Sequence, residues 1–224
     1  MSENRRNLQF NPRETRRVAM YDLQISSPVM IRRLDVYGGQ IVAAFIRVGT
    51  LVMFTKNDPV AAEKVKDWIR ECLQDFKADH EKINTYMSES KVSSGVTSFI
   101  SGFNQQPVSF NMPINHPIAN SYIDCIRDVD TQQLELERLY FSGVFDEKQF
   151  EMAQKQAVRP FNHMIDRIYN VTNVTKRNGG TFDPREFLDL LKNEESISAM
   201  FNKYMQAKKK DVSKLESETS ELVE

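Results

Sequence analysis

The sequence predicts a mainly α-helical fold with one or two short β-strands, its helices packed in an irregular bundle. Three observations carry that expectation. Apolar residues recur at helical spacing along most of the chain, strand-like alternation is confined to two short stretches, and the composition is that of a globular domain. Of 224 residues, 40% are apolar and 27% charged, with only 8 Gly and 8 Pro, which suffices for a core without disulfide or metal staples.

The first stretch is a basic arm at residues 1–17. Up to Arg33 the chain carries Arg5, Arg6, Arg13, Arg16, Arg17, Arg32 and Arg33 against Glu3, Glu14 and Asp22. Residues 18–26 follow as a short half-buried strand, because Tyr21, Leu23 and Ile25 alternate with Asp22, Gln24 and Ser26. Pro28 suits a first helical turn, so Val29 to Tyr37 predicts a short helix that Gly38-Gly39 stops. The apolar run from Gln40 to Phe54 reads as a second helix or as a buried strand pair turning at Gly49.

Asn57-Asp58-Pro59 opens the next helix, with Asp58 as N-cap and Pro59 as its first residue; Val65, Trp68, Ile69, Cys72 and Phe76 share its apolar face. A Ser/Gly/Asn/Gln-rich loop takes 88–107 and is the best internal boundary. Val108, Phe110, Met112 and Ile114 then alternate with polar residues as a second strand, with Pro113 marking an edge or an end. A helix from about Ile118 runs to Ser142-Gly143. Asp146 caps another, which Pro160 should kink, and Asp183-Pro184-Arg185-Glu186 opens a further one. A short helix through Ile197 to Met205 ends the ordered chain. The expected organisation is one domain over 18–206, comprising a strand-and-helix part at 18–56, a helical core at 57–175 and C-terminal helices at 181–206. The tail at 207–224 is acidic, with Asp211, Glu216, Glu218, Glu221 and Glu224 against Lys214 in its last part, and reads as flexible.

Charge and composition exclude whole classes of function. The formal net charge of −1 argues against a protein that coats nucleic acid or membrane over its entire surface, but leaves room for a local basic patch. Met1 to Arg6 is too polar for a signal core. The apolar run Ile41 to Phe54 is broken by Arg47 and Thr50 and is shorter than the roughly 20 residues of a spanning helix. Two distant cysteines suit a reducing compartment, so a cytoplasmic protein with no membrane partner is expected. Two Asn-Val-Thr triplets, at Asn170 and Asn173, are then chance sequons.

No catalytic constellation is visible. Cys72 and Cys125 lie on apolar faces, no nucleophile elbow or phosphate loop exists, and three histidines with two cysteines make no metal cluster. Asp124 and Asp128 share a helix face but read as its solvated side. His116, at a helix start, and His163 read as capping or packing residues. No enzyme, no cofactor and no metal are therefore expected.

The remaining signal is the basic head joined to a short strand and two short helices. In a ribbon-helix-helix module such a strand pairs antiparallel with its copy from a second chain, and the ribbon enters the major groove of double-stranded DNA. Asp22, Gln24 and Ser26, with Met20 at the margin, would face the bases; Gln can bond bidentately to adenine. Arg13, Arg16 and Arg17 before the strand, with Arg32 and Arg33 after it, would hold the phosphates. The break at Gly38 and Gly39 would present the free amides of a helix starting at Gln40 to a phosphate. Two rival readings stand beside this one. The ribbon could lie at 108–115, with Ser109, Asn111 and Asn115 outward but no basic residue. Alternatively, the chain is a helical adaptor that binds another protein through its acidic tail or an apolar groove.

Several blocks also carry a family resemblance. They are Tyr37-Gly38-Gly39, Asn57-Asp58-Pro59-Val60-Ala61 with the Trp68 helix, Asn115-His116-Pro117-Ile118-Ala119-Asn120-Ser121-Tyr122, Leu139 to Phe145 with Asp146-Glu147-Lys148, and Val171-Thr172. Over residues 18 to 175 the chain resembles the AcaB-like family of regulators encoded on integrating conjugative elements and conjugative plasmids. It departs from the family at Ile25-Ser26-Ser27, where a His-Thr-Arg-like strand end is usual, and at Val36-Tyr37, where the family has Trp. The resemblance implies a ribbon-helix-helix-related homodimer that activates transfer genes, with other regulators of the transfer system as further partners.

Overall fold

In a computed structural model, the described residues are 5–8, 18–103, 106–175 and 182–208. Two of the expected strands pair with each other. β2 (Ala19–Ile25) runs antiparallel to β3 (Val108–Ile114), while the short β1 (Arg5–Asn7) lies parallel on the other side of β3, giving the order β1-β3-β2. The register sets Leu23 against Phe110 and Tyr21 against Met112. Leu23, Ile25, Phe110 and Met112 are all buried. The pairing expected between β2 and a twofold copy is thus made within one chain. The reason is that β3 supplies the complementary apolar face and a helix-covered core to bury it. Among the described residues the far edge of β2 has no strand beside it.

α1 (Pro28–Phe54) is one helix of 27 residues, and this corrects the expected stop at Gly38-Gly39. Ser27 caps it, accepting a hydrogen bond from the Met30 amide, and Pro28 occupies the first turn. Each glycine costs about 1 kcal/mol of helix propensity. Burial of Leu34, Ile41, Val42 and Phe45 on either side outweighs that cost, and a Cβ on Gly38 would come 2.4 Å from a Leu8 methyl. As a continuous helix α1 is long and apolar enough to cross a membrane, unlike the shorter run read from sequence. In its most apolar stretch 61% is buried inside the fold, where it serves as the central core helix.

The remaining helices surround it. α2 (Pro59–Ser93) starts at the Asp58 cap and runs several residues into the expected loop; α3 (Ala119–Phe141) and α4 (Glu147–Thr172) follow β3. His116 does act at the α3 start, its Nδ1 accepting from the Ile118 amide at 3.1 Å. The stop after α3 is a Schellman turn, in which Gly143 at φ +79 lets the Gly143 and Val144 amides reach Tyr140 and Leu139 carbonyls. A reciprocal capping box of Asp146 and Gln149 opens α4, which continues through Pro160. α5 (Pro184–Leu191) and α6 (residues 197–208) close the described chain. A large core joins the sheet to all these helices except the far ends of α2, α3 and α4. There a smaller core forms around Leu136, Leu139, Phe145 and Ala157, with Tyr140 stacked on Phe150.

α1 passes closest to the β3–α3 turn at Gly49. A Cβ there would lie 2.2 Å from Asn115 Oδ1 and 2.8 Å from His116 Cβ. Asn115 cannot easily yield, since its Nδ2 donates to Ile46 O at 2.9 Å and Thr50 Oγ1 at 3.1 Å. Gly49→Ala is therefore expected to cost about 1–3 kcal/mol through overpacking despite better helix propensity. Gly38→Ala should cost less, because the obstructing group is a side-chain tip. Urea unfolding of the two variants checks the order.

Candidate nucleic-acid interface

The outward side of the sheet is exposed only along β2, since on β3 Ser109 and Pro113 are buried and Asn111 is half-buried. β2 contributes Met20, Asp22 and Gln24, all exposed, and β3 places Pro113, Asn111 and Ser109 opposite them. Asp22, which alone would repel a phosphate, accepts hydrogen bonds from Ser109 Oγ and from Gln24 Nε2, the latter at 3.2 Å. Its charge is thus engaged within the sheet, while the Gln24 carbonyl keeps its acceptor capacity for a base edge. Ser26 lies past the strand end. Its amide, with that of Ser27, donates to the Asp130 carboxylate of α3 at 3.0 and 2.8 Å, which fixes the turn from β2 into α1.

The second predicted group splits. Arg13, Arg16 and Arg17 lie outside the described residues, as does the acidic tail from residue 209. Arg32 and Arg33 sit in the first turns of α1 and line a groove of about 500 Å³ between α1 and α4. The Arg33 guanidinium lies over the Tyr37 ring at 4.2 Å. Lys155 and Asn162 of α4 form the opposite wall, Val29, Val36 and Val158 supply apolar surface, and no carboxylate among the described residues lines the groove. Among the described residues, neither Arg32 nor Arg33 has a carboxylate within ion-pair distance. Other arginines do: Arg6 pairs with Asp35, Arg127 with Asp124, Arg138 with Glu135, and Arg167 with Glu71 and Asp75.

Gly38, Gly39 and Gln40 do not form the expected phosphate site. They lie inside α1, where backbone amides are spent on the helix ladder, and the Gln40 carbonyl accepts from Tyr169 Oη at 2.9 Å. Sequence reasoning missed Tyr37, Lys155 and Asn162 as groove residues. Lys155 could have been found only as a cation on the polar face of the Asp146-capped helix.

Burial keeps the two thiols protonated and the two half-buried imidazoles neutral. Burial pushes the Cys72 and Cys125 thiols up to about 12, and lowers His80 and His116 below their ordinary values. His163 Nε2 accepts from Arg159 Nε at 3.3 Å. Among the described residues no group of three or more His, Cys, Asp or Glu side chains is placed to hold a metal ion.

No family model matches the sequence, and no curated protein matches it. A crystal structure of AcaB from uropathogenic E. coli does align with the fold, with a TM-score of 0.56 over 85% of this chain and 100% of that one. The chain has an AcaB-like fold. Sequence identity between the two is 17%, so the likeness is one of architecture. The alignment takes in the whole of the AcaB chain and leaves the remainder of this one outside it.

Proposed function

We propose that this protein is a sequence-specific regulator that binds double-stranded DNA and activates conjugative-transfer genes, acting as a cytoplasmic homodimer without reaction chemistry of its own. The observation that carries this reading is the Arg32–Arg33 pair, without a carboxylate partner among the described residues of a chain of net charge −1, placed just after a strand that exposes Asp22 and Gln24. The AcaB-like fold and the family resemblance point the same way. In this reading Arg32, Arg33 and the arm residues Arg13, Arg16 and Arg17 attract the backbone, and Gln24, supported by Asp22 and Ser26, discriminates bases. The edge of β2 that has no strand beside it among the described residues is where a second copy would add its own β2.

A gel-shift titration with random and transfer-promoter duplexes at two salt concentrations tests it. Retention should fall with salt and differ between sequences. Gln24→Ala should erase about 1–3 kcal/mol of discrimination while leaving random-duplex binding nearly unchanged. Equal loss on every duplex rejects the role given to Gln24, and a monomer in sizing experiments rejects the dimer. A helical adaptor is the second reading, favoured by the exposed Phe141 beside Phe103 at the far end of the bundle. It gains if retention shows neither salt nor sequence dependence.

A further inference from the structure

We propose that the α1–α4 groove holds one phosphodiester strand of the duplex, with Lys155 of α4 facing Arg32 and Arg33 of α1 across it. This assignment rests on the DNA-binding reading above and adds to it a contact from a helix that the strand-based reading does not involve. Three features of the groove suit a phosphate backbone. Cations stand on both walls and, among the described residues, no acid lines the groove itself, so the charge lining it is positive and favours an anion. Arg33 is stacked on Tyr37 at 4.2 Å, so its guanidinium is already ordered and loses less rotamer freedom on meeting a phosphate. Val29, Val36 and Val158 give the deoxyribose an apolar surface beside those charges.

Lys155 is available for the exchange. Its partner Glu151 is 3.5 Å away and both side chains are largely exposed, an ion pair of the kind worth little in water. Asn162 adds a side-chain amide to the same wall. The consequence is that the duplex backbone lies along the helix pair, and α4 contributes to affinity while contributing nothing to sequence choice.

The test is fluorescence anisotropy of the full chain with a random duplex over a salt series. Lys155→Ala should weaken binding and reduce the magnitude of the slope of log K against log salt by about 1, the share of one phosphate contact. Lys155→Arg should restore the slope. Lys148→Ala, exposed on α4 but outside the groove, should leave it unchanged. Wild-type binding whose slope Lys155→Ala does not alter, or alters no more than Lys148→Ala, overturns this assignment alone. A wild-type chain with no salt-dependent binding overturns the assignment together with the reading beneath it.

Discussion

Asp130→Ala is expected to destabilise the fold by about 2–4 kcal/mol. Asp130 is 8% exposed and its two carboxylate oxygens accept from the amides of Ser26 and Ser27, of which Ser27 is fully buried. Hydrogen bonds to a charged acceptor are the stronger kind, and a buried donor left without a partner costs about 1–3 kcal/mol. Both amides lose their acceptor at once, and they sit where the strand ends and the α1 cap begins. Loosening them disturbs the Ser27 contact with the Met30 amide and hence the first turn of the core helix. Asp130→Asn keeps one carbonyl oxygen and should cost about half as much. Urea unfolding should show the midpoint shifted with an unchanged slope, and the melting temperature should fall by roughly 5–15 °C. A change within about 0.5 kcal/mol would mean that water satisfies these amides once the carboxylate is gone.

Asp130 also shows what the sequence could and could not reveal. Helix starts at Asp58, Asp146 and Asp183 were legible because a cap is closed by groups within three residues of it. Strands β2 and β3 were legible from their alternation. Their partnership was not, since the rule that predicts a half-buried strand does not say which apolar face it meets, and a copy of the same chain fits as well as β3. The helix through Gly38 and Gly39 was missed for a related reason. Propensity is local, whereas the burial that overrides it comes from Leu8 and the facing helices. Of the candidate interface, the exposure of Asp22 and Gln24 and the nearness of Arg32 and Arg33 were readable along the chain. The α1–α4 groove was not, because Lys155 and Asn162 reach it only through tertiary packing.

Arg47 is the residue whose loss should be felt most. It interrupts the apolar run of α1, which made that run read as too short for a membrane, yet it is only 7% exposed. Its Nη1 donates to Thr172 Oγ1 at 3.0 Å and to Asn173 Oδ1 at 2.8 Å, and its guanidinium lies 4.6 Å from the Tyr169 ring centre and 5.7 Å from that of Phe182. One side chain thus ties the central helix to the end of α4 and to the segment leading into α5. Arg47→Ala removes these hydrogen bonds, strips a cation from two aromatic faces and leaves a buried void, so a loss of about 3–5 kcal/mol is expected. Arg47→Lys keeps the charge but lacks the planar fork, and should recover only part of the loss. Arg47→Met separates the causes, because it refills most of the volume without charge. If Met restores stability, packing outweighs the polar contacts, as replacements of buried ionic groups by apolar ones can show. If Met is as poor as Ala, the hydrogen bonds to Thr172 and Asn173 hold the end of α4 in place, and proteolysis near 172–175 should then accelerate in both variants.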